Sequence, residues 1–447
     1  MLLHRFRETP CCFDRLVRDE VEIQKVNLLP LLSRFANTGI SRAYFSRRDQ
    51  SLSIAGLGRA GVLQADSPEA TEKLFDQLQA RQGDQAAATW IGGCSFSGEN
   101  GSEHWQDFPA ALFVLPLVEL VETETSLQLA VNFQASTIVD WQQQLAQLTV
   151  IVALLSSRTH NTFVAHNQYI QGRQQSCDYN RWRQMVDQTL TGIAEGTMAK
   201  SVLAREVCLQ MQGAVDPFET LANIDRTHNR SYLFAIENRG SLFFGCSPER
   251  LFRRRGMMLE TEAVAGTVAR GKSSREDLNL EKSLTSNRKL VLEHRLVADA
   301  IESALRPLSS HVSRRPDVGV VKLAHVQHGF QPIQAVLRAE VGDSSVFRQL
   351  HPTPAVCGFP REQARAFIDK REGFQRGWYA GAVGIVSSDH TELAVAIRSG
   401  LCQHNRLWLY SGVGLVEGSS AREEWQELES KLELMLQALG ASELQVC

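Results

Sequence analysis

The stretch Tyr410–Lys431, YSGVGLVEGSSAREEWQELESK, joins a glycine-containing strand to a helix whose first turns are rich in carboxylates. Ser420 and Glu423 have the spacing of a capping box, which predicts a helix that begins at Ser420. Apolar residues recur beyond it at helical spacing and predict a buried stripe, formed by Trp425, Leu428, Leu432, Met435, Leu436 and Leu439. The junction therefore places charged side chains beside a packed helix face.

Glu424, Glu427 and Lys431 fall together on the border of this stripe at about 100° per residue. A carboxylate pair that is half removed from water needs a cation. Hydrated Mg²⁺ is held in this way, by few carboxylates and by substrate oxygens. A purely structural alternative exists, because acidic residues favour the first turn of a helix and Glu427 with Lys431 forms a favourable i,i+4 pair. These residues alone leave both interpretations open.

The composition is that of an ordinary globular protein. The 447 residues carry a net charge of −3, with 43% hydrophobic and 22% charged residues, so two domains or one large two-layered domain are expected. Without a strong basic field, nucleic acid is not expected as a partner. Four arginines at 250, 253, 254 and 255 form a local group in a strand-like stretch next to Gly256, which suggests a solvated turn and not a phosphate-binding patch.

Nine cysteines are scattered along the chain, with Cys11 and Cys12 adjacent and no CxxC spacing. Neither a zinc site nor a disulfide framework is expected from this pattern, and reduced thiols in a cytoplasm fit it best. Charges interrupt the first twenty residues before an apolar segment forms, and the apolar run Leu148–Leu155 is too short for a bilayer. We therefore expect a cytoplasmic protein that is neither exported nor bound in a membrane.

Two parts of different pattern are expected along the chain. Residues 1–168 are predicted to be a variable α+β part that packs on the core, with a long helix over Ile138–Leu155. The polar, glutamine-rich stretch 166–175 is the best linker candidate. Residues 176–440 contain runs of strands with helices inserted at intervals, one of them near Leu284–Leu305. Such runs, without strict βαβ alternation, predict an antiparallel α+β fold.

Two residues are candidates for proton transfer. Lys200 shares a strand face with Val202 and Ala204, and an apolar environment favours the neutral amine, which can act as a base. The alternative is a lysine at a strand end that reaches water. Glu249 follows Pro248 near several phenylalanines, where a carboxyl can keep its proton near neutral pH and act as a general acid. A surface pair of Glu249 and Arg250 is equally compatible with the sequence.

Glu293 has leucine and valine neighbours at i−3, i+3 and i+4 on its helix, which predicts that it is buried. A buried ionised carboxylate costs several kcal/mol unless it is paired or bound to a metal. The second carboxylate cluster, at Glu424 and Glu427, suggests a shared divalent ion as the partner. A structural salt bridge to an arginine is the alternative.

Two further segments supply groups for an anionic ligand. Tyr379 and Arg398 are predicted at strand ends, and arginine is the side chain suited to holding a carboxylate through two hydrogen bonds. Gly412 and Gly414 let backbone amides approach a ligand closely. Each of these signals is weak alone, because glycine in a strand is commonly a packing choice.

In order, these segments resemble the chorismate-utilising enzyme family over roughly the C-terminal three-fifths of the chain. The motifs that carry the resemblance are AKSVLAR with Lys200, CSPERL with Glu249, TEAVAGT with Gly266 and Thr267, LEHRLV with Glu293, HPTPAVCGFP with His351, WYAGAVG with Tyr379, AIRSG with Arg398, and the opening stretch with Gly414. Within the family the chain most resembles isochorismate synthases of the menaquinone-specific type, and the N-terminal stretch Trp90–Phe133 is similar to that type too.

The resemblance implies a single α+β unit with a large antiparallel β-sandwich core flanked by helices. It also implies a reaction that needs only Mg²⁺ as a cofactor. Lys200 would deprotonate the attacking water, which adds at C2 of chorismate, and Glu249 would protonate the departing C4 hydroxyl. The implied metal ligands, with Glu424 direct or through a water, are Glu293, Glu424 and Glu427. The implied substrate-binding residues are Gly266, Thr267, His351, Tyr379, Arg398, Gly414 and Lys431. A monomer is expected.

The same site residues leave other functions open. Salicylate synthases keep the lysine and also eliminate pyruvate, whereas family members that add ammonia lack it. An isochorismate synthase of a siderophore pathway and a catalytically inactive binding module are further alternatives. The segment Val326–Phe330 departs from the family pattern, with Gly-Phe where a leucine usually follows the histidine.

Overall fold

Strands make up much of the regular structure in a computed structural model of the protein, which describes residues 15–82, 88–98, 102–157, 168–227, 230–322, 326–387 and 390–443. The expectations for Cys11 and Cys12, and the first two residues of the predicted linker, lie outside these ranges.

In chain order the strands are β1 Leu16–Ile23, β2 Arg42–Ser46, β3 Leu52–Leu57, β4 Gly61–Ala65, β5 Trp90–Cys94, β6 Ala111–Leu115, β7 Val118–Thr123, β8 Leu127–Gln134, β9 Gln168–Gln175, β10 Lys200–Met211, β11 Tyr232–Asn238, β12 Ser241–Ser247, β13 Arg250–Arg255, β14 Met258–Ala269, β15 Ser309–Arg314, β16 Gly319–Lys322, β17 Val326–Leu337, β18 Gly358–Phe359, β19 Ala382–Val386, β20 His390–Val395, β21 Ser399–Gln403, β22 Arg406–Leu415 and β23 Ala441–Glu443.

The α-helices are α1 Leu28–Ser33, α2 Pro68–Gln82, α3 Ile138–Ser156, α4 Tyr179–Ala194, α5 Pro217–Thr227, α6 Ser274–Ser286, α7 Arg288–Leu305, α8 Asp343–Leu350, α9 Arg361–Arg371 and α10 Ala421–Leu439. Single 3-10 turns occur at Glu103–Trp105 and Arg306–Leu308. Across the described ranges, no helix combines the length and the apolar character that crossing a lipid bilayer requires.

The strands form two large sheets within the described part of the chain. The first has the order β1-β8-β7-β3-β2-β11-β12-β21-β22-β10-β9-β23, with β18 beside β10, and the second the order β15-β17-β14-β13-β20-β19-β5-β6-β4, with β16 beside β17. Neighbouring strands are antiparallel apart from β23, which runs parallel to β9. Buried side chains from both sheets belong to one hydrophobic cluster. The predicted α+β class with a large antiparallel core is confirmed.

Strands from the N-terminal part enter both sheets. In the first sheet β2 pairs with β11, and in the second β5 pairs with β19. The backbone hydrogen bonds of each sheet therefore continue from residues before 168 into residues after 176. The division into parts 1–168 and 176–440 stays a prediction.

The pairing of β10 with β22 positions the most informative segments of the sequence. Val202 lies opposite Gly414, and Ala204 lies opposite Gly412. Residues 200–205 at the start of β10 are all buried, because α9 packs on this part of the strand. A strand covered on both faces loses the alternation of a half-exposed strand, so charged side chains here are removed from water.

Two element predictions were wrong. The predicted linker is a strand from Gln168 onward, because β9 pairs with β10 from Val207 to Met211 and with β23 on its other side. Backbone pairing needs no apolar side chains, so the polar composition concealed it. The single helix expected near Leu284–Leu305 is two helices that separate at Asn287, whose side chain caps α7 by accepting hydrogen bonds from the Lys289 and Leu290 amides.

Two local predictions also differ from the structure. Ser420 is the N-cap residue of α10, but its side chain makes no capping hydrogen bond, so the predicted capping box is absent. The arginines lie on β13, in agreement with the strand-like pattern, but three of them are ion-paired and not simply solvated. Arg253 pairs with Glu260 directly across the β13–β14 ladder, Arg250 pairs with the same carboxylate, and Arg254 pairs with Asp343 of α8.

A buried ion pair supports the floor of the cavity described below. Glu372 accepts hydrogen bonds from Arg376 at 2.5 and 2.8 Å and from the Ala204 amide at 2.7 Å. Arg376 also donates to the carbonyl oxygens of Val202 and Val356 at 2.7 Å. Each nitrogen of the guanidinium has an acceptor, and removal of one partner of the ion pair leaves an unpaired buried charge.

We expect Glu372→Ala to lower the free energy of unfolding by about 3–5 kcal/mol, because it leaves the Arg376 guanidinium buried without its carboxylate. Chemical denaturation followed by circular dichroism measures this change. Glu362→Ala, an exposed position on α9, is the control and should change stability by less than about 0.5 kcal/mol. Equal losses in the two variants would contradict the assigned role of the pair.

Candidate active site

A cavity with an empty volume of about 740 Å³ opens beside the start of β10 and the end of β22. Ten of the predicted site residues line it: Lys200, Glu249, Gly266, Thr267, Glu293, Tyr379, Arg398, Gly414, Glu427 and Lys431. These residues come from β10, β14, β22, α7, α10 and the connections after β12, α9 and β20. The fold therefore brings together side chains that are up to about two hundred residues apart in sequence.

Lys200 begins β10 and is only 1% exposed. Its Nζ lies 3.2 Å from Oε1 of Glu293. The lysine therefore does not reach bulk water, and its alternative interpretation as a strand-end surface residue is excluded. The Glu293 side chain is 13% exposed at the cavity wall, so it is largely buried as its apolar helix neighbours predict, with a small part open to the cavity.

Glycines on β22 make room for this pair. A Cβ atom at Gly414 would overlap Oε1 of Glu293 and would lie 2.9 Å from Cε of Lys200. A Cβ atom at Gly412 would lie 2.6 Å from the Tyr379 hydroxyl. Real Cβ atoms do not approach other atoms this closely, so both positions require glycine for as long as the neighbours stay in place.

Glu249 follows β12 and is 4% exposed. Thr353 donates a long hydrogen bond of 3.4 Å to Oε1 of this carboxyl. Burial, and next the nearby charge of Glu262, raise the pKa of Glu249 to about 8. The carboxyl therefore holds its proton at neutral pH, which is one of the two interpretations that the sequence left open, and the alternative of a surface pair with Arg250 is excluded.

Each predicted metal-binding carboxylate contacts a lysine. Glu293 contacts Lys200 at 3.2 Å, Glu424 contacts Lys289 at 2.5 Å, and Glu427 contacts Lys431 at 2.7 Å. Glu424 is buried, contrary to the predicted half-exposed border position, and is not among the residues that line the cavity. Burial raises the pKa of Glu424, and the charges of Glu427 and Glu293 add to this rise. The three carboxylates are therefore close enough to repel one another.

The donor set suits a hard divalent cation. Among the described residues, no three His, Cys, Asp or Glu side chains converge as a ready ligand cluster, and each of the three carboxylates contacts a lysine. These three partly or fully buried carboxylates nevertheless require a nearby positive charge. In this structure the ammonium groups of the contacting lysines supply it. Carboxylate oxygens are the ligands that Mg²⁺ prefers, so the chemistry of Glu293, Glu424 and Glu427 fits that ion.

The opposite wall carries groups suited to an anion. Arg398 adopts a left-handed backbone conformation with φ 51°, and burial lowers its pKa. Tyr379 is buried and stacks on Tyr410 with ring centroids 5.0 Å apart. Gly266, with φ 75°, forms the bulge at which β14 slips in its register with β17. Positive φ at such positions is typical of functional sites.

His351 lies away from this wall. Its Nε2–H donates to the Ser95 carbonyl oxygen at 3.1 Å, and its ring stacks on Phe347 at 4.7 Å between centroids. Burial lowers its pKa to about 3. His351 is not among the residues that line the cavity in the described chain, so the structure gives it no direct contact with a ligand there.

Sequence analysis missed two neighbours of the site, Lys289 and Thr353, and gave no role to a third, His328. Lys289 forms an ion pair with Glu424. It lies four residues before Glu293, about one helical turn, so the sequence could have placed it on the same face of α7. Thr353 lies within the HPTPAV motif and contacts Glu249. His328 lines the cavity beside Arg398. The unusual Gly329 that follows it allows close strand approach, since a Cβ atom there would lie 2.8 Å from the Ala265 carbonyl oxygen.

Comparisons with known proteins agree with this geometry. The sequence model of the family described as chorismate binding enzyme matches residues 5–440. The chain is 32% identical to the isochorismate synthase MenF of Bacillus subtilis over 90% of this chain and 88% of that protein. It is also 32% identical to that of Haemophilus influenzae, over 94% and 90%. The solved structure of the menaquinone-specific isochorismate synthase of Escherichia coli is similar with a TM-score of 0.85 at 26% identity, over 98% of both chains.

We expect one glutamic acid to titrate near pH 8, because burial and Glu262 disfavour its ionised form. Carboxyl resonances of protein labelled with ¹³C in glutamate should show this titration, and Glu249→Gln should remove it. The proton is held more tightly in the folded than in the unfolded chain, so the free energy of unfolding should fall as pH rises from 4.5 to about 8. Wild-type protein whose stability parallels that of Glu249→Gln over this range would contradict the assignment.

Proposed function

The chain belongs to the chorismate-binding enzymes, and we propose that it is an isochorismate synthase that isomerises chorismate to isochorismate with Mg²⁺. The observation that carries the proposal is a buried lysine and a protonated carboxyl, Lys200 and Glu249, on the walls of one cavity that also presents Arg398. A base, an acid and an anion-binding group are what this hydroxyl exchange requires.

In the proposed mechanism Lys200 acts as the general base and takes a proton from the water that adds at C2. Glu249 gives its proton to the C4 hydroxyl, which leaves as water. Both groups are buried, so neither proton exchanges freely with solvent during the reaction. The pair therefore supplies general base and general acid from the residues of this chain.

Substrate carboxylates are assigned to two walls. Arg398, Tyr379 and the backbone at Gly414 would bind the enolpyruvyl carboxylate, with Thr267, Gly266 and Lys431 completing the pocket. Glu293 and Glu427 would hold Mg²⁺, with Glu424 direct or through a water. The bound ion would neutralise the ring carboxylate of a dianionic substrate. Lys200 and Lys431 now contact the carboxylates assigned to the ion, so these ammonium groups must give up those contacts when it binds.

We further propose that the product leads toward menaquinone and that the enzyme acts as a cytoplasmic monomer. The menaquinone-specific relative with a TM-score of 0.85 supports the first part. A salicylate-forming lyase is the closest alternative, because its elimination of pyruvate would use the same residues. No contact among the described residues of the site favours the lyase over the isomerase.

Purified protein incubated with chorismate should give a mixture of chorismate and isochorismate with Mg²⁺ and no reaction with EDTA, as separated by chromatography. Formation of salicylate with pyruvate would show that the protein is a lyase and not an isomerase. Unchanged chorismate would support the alternative of an inactive binding module. Lys200→Ala is the matched variant. It should lose turnover while it keeps Mg²⁺-dependent chorismate binding in calorimetry, and full activity would exclude Lys200 as the base.

Gly414→Ala should lower kcat/KM by about 100-fold, because the added methyl group displaces Glu293 and Lys200 by a fraction of an ångström to an ångström. Gly172→Ala on β9 is the control, since its Cβ atom would meet only Gln210 at an ordinary 3.6 Å. Steady-state kinetics and thermal unfolding should show lost activity with similar stability. Retained activity in Gly414→Ala would show that the contact has no role.

A further inference from the structure

Arg398 is the cation on the cavity wall that no carboxylate neutralises by contact. The cavity lining contains two other lysine or arginine side chains, Lys200 and Lys431. Lys200 contacts Glu293, and Lys431 contacts Glu427. No ion pair joins Arg398 to a carboxylate among the described residues. Its Nη2 instead donates a hydrogen bond of 3.0 Å to Nε2 of His328. The guanidinium charge is therefore available to a ligand.

His328 lies on β17 and is 6% exposed. It pairs across strands with Thr267, next to the bulge at Gly266. The second ring nitrogen, Nδ1, is 3.0 Å from the Thr267 hydroxyl oxygen. Both nitrogens of the ring thus have a defined partner within the site.

The partners determine where the proton of His328 lies. A guanidinium has donors only, so Nε2 must accept the hydrogen bond from Arg398. A neutral imidazole carries its single proton on the other nitrogen, so Nδ1–H donates to Thr267. The protonated ring would place a donor against the guanidinium, and burial together with the charge of Arg398 lowers the pKa of His328 further. The ring is therefore neutral and in one tautomer.

We propose that His328 is a positioning residue, held by Thr267 in the Nδ1–H tautomer, that orients Arg398 for the substrate carboxylate without neutralising its charge. The inference rests on the proposed function for the identity of that carboxylate. A glutamate at this position would orient the guanidinium equally well but would cancel the charge. An apolar residue would leave the positive charge of Arg398 intact but would not orient its guanidinium. A neutral hydrogen-bond acceptor orients the guanidinium and leaves its charge intact.

This arrangement gives Thr267 an indirect role. The resemblance assigns Thr267 to substrate binding, whereas the structure joins its hydroxyl to His328. Loss of that hydroxyl allows the ring proton to move to Nε2, where it faces the guanidinium donors. Thr267 then affects substrate binding through the direction of Arg398.

Three substitutions at His328 separate orientation from charge. Gln keeps a neutral acceptor, Glu keeps the acceptor but adds a negative charge, and Leu removes the acceptor. We expect KM for chorismate to rise least in His328→Gln, by about tenfold in His328→Leu and by about 100-fold in His328→Glu, with smaller changes in kcat. His311→Gln on the exposed part of β15 is the control. Equal KM values for the Gln and Glu variants, or wild-type KM in His328→Leu, would overturn the proposal.

A spectroscopic measurement tests the tautomer without substrate. In protein labelled with ¹⁵N in its 12 histidines, the signals absent from His328→Gln identify His328. They should show a protonated Nδ1 and an unprotonated Nε2 in the wild type, and a changed pattern in Thr267→Val. A wild-type Nε2–H or an imidazolium would overturn the proposal. If the wild type does not convert chorismate, the proposed function fails while this measurement still decides the tautomer.

Discussion

The antiparallel pairing of β10 with β22 is the constraint on which the site depends. It sets Val202 opposite Gly414 and Ala204 opposite Gly412, so two strand positions without side chains lie against the buried start of β10. The space they leave is occupied by the Lys200–Glu293 contact and by the Tyr379 hydroxyl. A one-residue slip in this register would exchange the faces of the strand and scatter the site.

Charge is distributed unevenly around the cavity. Glu293 with Lys200 and Glu427 with Lys431 line the cavity as ion pairs, and Glu424 with Lys289 forms a third pair outside its lining. Elsewhere in the cavity lining Arg398 has a neutral partner, and Glu249 holds a proton. The proposed dianionic substrate and divalent cation would therefore meet different sets of charged groups within one cavity.

The N-terminal part also acts on the site. Arg48, on the connection after β2, pairs with Glu262 at 2.5 Å and donates to the Pro248 carbonyl oxygen at 3.1 Å. Glu262 is the carboxylate that adds to the raised pKa of Glu249. Arg48 therefore partly offsets the charge that helps to keep the acid protonated, and it anchors the residue before that acid. Residues far from the catalytic motifs in sequence thus contribute to the electrostatics of the acid.

The sequence by itself determined the α+β class, through hydrophobic periodicity, and ten of the residues that line the cavity, through motifs that resemble one family. For Glu249 it left a buried acid and a surface pair with Arg250 equally open, and the tertiary structure decided for the buried acid. The tertiary structure alone decided that His351 turns away from the cavity, that Glu424 is buried against Lys289, and that His328 and Thr267 orient Arg398. Glutamine-rich β9 was likewise invisible, because a strand can be held by backbone pairing alone. Such pairings depend on which side chains and strands meet across hundreds of residues, and no local pattern records them.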